Sequence, residues 1–116
     1  MSIAAWAALI AGLWAIINGL LHDIFVLRSD YGKKYDRELL RLLMDGHILL
    51  TCGAVQVFAC NGVSGNSHWG YYMAGIAAIS MLVYCVMIWP FLKSLGTMAV
   101  NLALVVILLL GYMQLL

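Results

Sequence analysis

Residues 18–56 read NGLLHDIFVLRSDYGKKYDRELLRLLMDGHILLTCGAVQ. An apolar run becomes charged at Arg28, stays charged to Arg41 and turns apolar again. Two apolar segments joined by a short charged connection predict a helical hairpin that leaves a bilayer and re-enters it. Within the loop, Gly32 supplies a turn, and Asp36 is placed to cap a helix that begins at Arg37. What sets this hairpin apart is that His22, Asp23, Asp45 and His47 fall inside the apolar spans, where ionisable groups are costly.

Working outward, four segments reach the length of about 20 largely apolar residues that a hydrocarbon core requires. They lie at about 3–27, 39–61, 69–92 and 97–116. Short connections leave no room for crossovers, so the expected fold is an all-α membrane protein, four transmembrane helices in an up-and-down antiparallel bundle, with residues 1–116 as one domain. Composition agrees. The 116 residues are 66% hydrophobic and 9% charged, against about 45–50% and 25% for a soluble domain. The net charge is +1, and no basic stripe is present, which excludes a nucleic-acid partner.

The first segment carries two rows of small residues, Ala4, Ala8 and Gly12, and Ala11, Ala15 and Gly19. Such rows let helix backbones approach closely in lipid and predict helix packing on two sides. No Lys or Arg precedes this segment, so it is expected to stay in the mature protein as a span. The link at residues 61–69 has turn chemistry throughout and reads as a surface loop. Trp69, Tyr71 and Tyr72 after it suit the headgroup level. In the third segment the helix should stop or kink near Trp89, ahead of Pro90. In the fourth, Asn101 is the one mid-depth polar group, and the run from Leu102 to Leu110 is expected to face lipid. Cys52 and Cys60 stand about 12 Å apart on one helix and cannot bridge. All three cysteines, Cys85 included, are expected to be small packing residues.

Five of the six Lys and Arg flank the first connection and the sixth, Lys93, flanks the third. The positive-inside rule then predicts a cell (plasma or inner) membrane protein with loops 28–38 and 93–96 cytoplasmic and both termini outside.

Counted from that side, His22, Asp23, Asp45 and His47 share a depth, with Asn18 and Thr51 one turn deeper and Gln56 further on. Around the second helix, Asp45, Cys52 and Gln56 fall within about 40° of one another, and His47 and Thr51 lie on roughly the opposite side. Three uses of the cluster follow. His22 could pair with Asp45, or Asp23 with His47, to hold the helices in register. The same groups could relay protons or cations. Two imidazoles and two carboxylates could also ligate a divalent metal, and His22 with His47 could hold haem, although no familiar ligand motif is present and the sequence requires no cofactor. In length and span count the chain is similar to small multidrug-resistance transporters. Those place a lone Glu in the middle of the first span, whereas this span has Asn18, His22 and Asp23.

The functional expectation is a small multi-pass integral membrane protein acting as a non-catalytic subunit or homo-oligomer. Its partners would be the lipid bilayer and copies of itself or other membrane subunits. The alternative is a proton, ion or small-solute transporter or channel, or a metal- or haem-binding membrane protein, that uses the cluster.

Overall fold

A computed structural model describes residues 1–115. Four helices follow in order: α1 over Ile3–Arg28, α2 over Arg37–Ser64, α3 over His68–Ile88 and α4 over Leu95–Tyr112. They form the antiparallel up-and-down bundle, and all four are long and apolar enough to cross a membrane. α1 lies along α2, α3 packs on α2 and α4, and α4 closes back on α1.

The helix ends are set by local chemistry. The Ser2 hydroxyl accepts from the Ala5 amide at 3.2 Å and starts α1. At its far end the Ser29 hydroxyl donates to the Val26 carbonyl at 2.5 Å, and a single 3₁₀ turn over Asp30–Lys33 follows. A Cβ at Gly32 would collide with the Leu27 carbonyl, so this turn needs glycine. The Asp36 carboxylate then accepts from the Leu39 amide at 2.9 Å, the cap expected for a helix starting at Arg37.

Close backbone approach holds the hairpin together. A Cβ built on Gly12 would stand 2.7 Å from the Gly53 carbonyl oxygen, and one on Gly19 would stand 2.6 Å from that of Gly46. Ala4, Ala8, Ala11, Gly12, Ala15 and Gly19 are all buried. The small-residue rows of α1 are therefore consumed inside the chain. They do not provide the free surface for partner helices that they would offer on an isolated helix.

Where the elements end, and what they face, has local causes. Residues 61–64 continue α2, leaving Gly65, Asn66 and Ser67 as the whole link to α3. Asn66 takes a positive φ of 54°, and the Ser67 amide returns to the Gly62 carbonyl at 2.8 Å. Gly62 and Gly70 meet with no room for a Cβ, so glycine here serves helix packing rather than a turn. α3 stops at Ile88, the stop expected near Trp89, so the third span ends before residue 92. Trp89–Phe91 turn around Pro90, and the Phe91 and Leu92 amides both bond to the Ile88 carbonyl. In α4, Leu104 and Leu108 are buried, so the 102–110 run is exposed on one side only. The helix ends at Tyr112, and residue 116 of the expected span lies outside the described residues. Cys60 and Cys85 are buried, Cys52 is half-buried, and all three are free thiols.

Candidate functional site

The polar residues of the spans divide among three places. In the first, on α1, Asn18 satisfies its amide within its own helix by donating to the Trp14 carbonyl at 2.8 Å. One turn further, His22 Nδ1 lies 3.3 Å from Asp23 Oδ1, so this imidazole pairs with its chain neighbour. The pairings His22–Asp45 and Asp23–His47 are not formed. Asp23 instead leans over Gly46, its carboxylate filling the space a Cβ would take. Glycine at position 46 is what lets an α1 carboxylate nestle against α2.

The second place is the bundle interior. Gln56, fully buried, donates from Nε2 to Asn101 Oδ1 at 3.0 Å. Asn101, also fully buried, donates from Nδ2 to the Thr97 carbonyl at 2.9 Å. Gln56 Oε1 is the one buried side-chain polar atom among the described residues without a partner. Gln56 thus belongs with α4 and not with the His/Asp cluster. It shares a face with Asp45, but the two lie about 16 Å apart along the axis at 1.5 Å per residue. At one depth that face meets α3, and at the other it meets α4.

The third place is a groove of about 740 Å³ between α2 and the C-terminal end of α3. Arg41, Asp45, His47, Thr51 and Tyr84 supply its polar lining, and Leu42, Met44, Ile48, Met87, Ile88, Phe91 and Leu92 its apolar walls. Asp45 and His47 point about 160° apart around α2. Both still line this groove, because it follows the outer flank of α2 from His47 and Thr51 through Ile48 to Asp45. His47 and Thr51 are exposed, and Asp45 and Tyr84 are half-buried. The Tyr84 side chain lies beside the Asp45 carboxylate. A smaller cleft of about 150 Å³, lined by Glu38, Arg41, Leu42 and Asp45, adjoins its charged-loop end.

The four expected ligands are thus split, His22 and Asp23 on α1 and Asp45 and His47 along the groove. Among the described residues, no three of His, Cys, Asp and Glu stand together as a metal ion would need. Tyr84 was not singled out in the sequence, where a tyrosine among apolar residues carries no mark. Its depth was the available signal, since it lies four residues before the end of α3, level with Asp45 in the antiparallel neighbour.

The opposite end of the bundle is aromatic. The Tyr112 hydroxyl lies 2.9 Å from His68 Nδ1 and 3.2 Å from the Tyr72 hydroxyl, and the Tyr71 ring meets Tyr112 edge-on. These contacts tie the start of α3 to the end of α4.

Comparison with protein-family models, with curated proteins and with solved structures finds no match to this chain. The geometry alone carries the functional reading.

Proposed function

We propose that this small multi-pass membrane protein is a non-catalytic subunit that engages its neighbours in the bilayer from the side, through the α2–α3 groove. The observation that carries this reading is the exposure of His47 and Thr51 on the outer flank of α2, beside Asp45, Arg41 and Tyr84. Polar groups within a span ordinarily face the bundle interior or a water-filled cavity, or pair with one another. Here they open sideways, so whatever lies beside the bundle completes them. The interior is meanwhile joined by a pair of carboxamides, Gln56 and Asn101, which carry no titratable proton.

The proposed orientation puts residues 28–38 and 93–96 in the cytoplasm of a cell membrane, supported by the five basic residues around the first connection. Single cysteines at positions 33 and 66, in a background lacking native cysteines, test it. Labelling of position 66 from outside intact cells is expected, and labelling of position 33 would reverse the orientation.

A photo-crosslinking amino acid at position 51 tests the lateral engagement in native membranes. Adducts to a bilayer component are expected at position 51 and not at position 101. Absence of adducts at 51, together with proton-coupled transport in reconstituted vesicles that Asp45→Asn abolishes, would replace this reading with the transporter one.

A further inference from the structure

Resting on that reading, we infer that the groove binds a phospholipid whose headgroup carries a primary ammonium beside its phosphate, of the ethanolamine type. The shape divides as such a lipid does. Apolar walls from Leu42, Met44, Ile48, Met87 and Ile88 run along the helices, and charged groups gather at the end next to the loop. A volume of about 740 Å³ is within the usual size of a ligand site, and a few converging polar groups on an apolar lining are its usual composition.

The charges at the mouth select the headgroup. Among the described residues there are two ion pairs, His22–Asp23 and Lys33–Asp30, and neither involves Glu38, Arg41 or Asp45. One guanidinium and two carboxylates thus line one cleft without a direct ion pair among them. The Arg41 fork matches a phosphate, and His47 and Thr51 place further polar groups along the same groove. Glu38 and Asp45, which share the adjoining 150 Å³ cleft, accept from an ammonium that has N–H groups to give. A choline headgroup has none, and its recognition calls for aromatic faces in place of carboxylates. Glycerol headgroups bring net negative charge and serine headgroups add a carboxylate, and both meet Glu38 and Asp45 with like charge. The zwitterion with a primary ammonium satisfies both signs.

The test is native mass spectrometry of the full chain, delipidated and re-equilibrated in mixed micelles with equimolar ethanolamine, choline and glycerol phospholipids of matched acyl chains. The bound ethanolamine lipid is expected to exceed each of the others by about tenfold, the worth of one charge-assisted hydrogen bond. Glu38→Gln with Asp45→Asn should abolish the preference. Glu38→Gln alone, at an exposed position in the first turn of α2, should reduce it in a protein whose melting is unchanged. Equal retention of all three lipids, a preference for the glycerol lipid, or a preference that survives in both variants would overturn the assignment. If crosslinks from position 51 persist in any of these cases, the headgroup is wrong and the lateral groove stands. If they too are lost, both readings fail.

Discussion

Gly12 on α1 and Gly53 on α2 sit face to face, each with the other's carbonyl oxygen 2.7 Å from where a Cβ would be. The obstacle on either side is main chain, which cannot rotate away. Gly12→Ala and Gly53→Ala are each expected to destabilise the protein by about 1–3 kcal/mol through overpacking, and the leucine variants by more. Gly75 is the control, because nothing lies within 4 Å of its Cβ position. Gly75→Ala should be neutral or stabilising by up to about 1 kcal/mol. Unfolding in detergent, followed by loss of helicity, ranks the variants. Equal loss at Gly12 and Gly75 would mean that the hairpin does not rest on this contact.

The Gln56–Asn101 bond predicts non-additivity. Asn101→Leu leaves a fully buried Gln56 amide unpaired, at a cost of about 1–3 kcal/mol. Adding Gln56→Leu should recover part of that loss, giving a coupling of about 0.6–1.7 kcal/mol, from the average to the largest value typical of side-chain hydrogen bonds between membrane helices. A double-mutant cycle on unfolding free energies measures it, and zero coupling would show that the two amides do not meet.

How far these contacts were legible in the sequence differs from residue to residue. The four helices, the Asp36 cap and the antiparallel hairpin follow from hydropathy, span length and one capping aspartate. That Gly12 and Gly19 mark a close contact was also readable, but not which helix they contact, since a small residue looks the same towards every neighbour. The sequence showed the level of the cluster's groups along the helices but not their partners across the hairpin. His22, Asp23, Asp45 and His47 do share a level, yet rotation about two helix axes decides which of them meet, and a single turn of error exchanges partner for stranger. Gln56 and Asn101 could have been matched by counting from the far helix ends, about 12 and 16 Å away. Counting from the charged side hid the match, because α2 begins well outside the level at which α4 begins.

Two aspartates of the charged loop should behave differently. Asp36 accepts the Leu39 amide at the start of α2, and its change to Ala should cost about 0.5–2 kcal/mol. Asp30 pairs with Lys33 at 3.1 Å, with both side chains almost wholly in solvent. Its change to Ala should fall within about 0.5 kcal/mol of wild type. Thermal unfolding of the two variants side by side decides, and a larger loss at Asp30 would contradict the assigned cap.

At the aromatic end, Tyr112→Phe removes the hydroxyl that meets both His68 and Tyr72. The site is exposed, so global stability should fall by no more than about 1 kcal/mol. Local opening should still increase, because these bonds join the first turn of α3 to the last of α4. Hydrogen exchange read at residues 68–72 should accelerate in Tyr112→Phe and remain unchanged in Tyr35→Phe, whose ring lies in the charged loop. Equal exchange in both would show that the Tyr112 hydroxyl does not hold the two helices together.

The claim that polar groups of α2 open sideways is tested most directly by spin labels at positions 51, 56 and 101, one at a time, in protein reconstituted into lipid nanodiscs. Collision rates with oxygen, which concentrates in the bilayer, and with a water-soluble nickel complex separate lipid, water and protein surroundings. High oxygen and low nickel collision at position 51, with little of either at 56 and 101, is the predicted result. High nickel collision at 56 and 101 would reveal a water-filled path through the bundle centre and contradict the account.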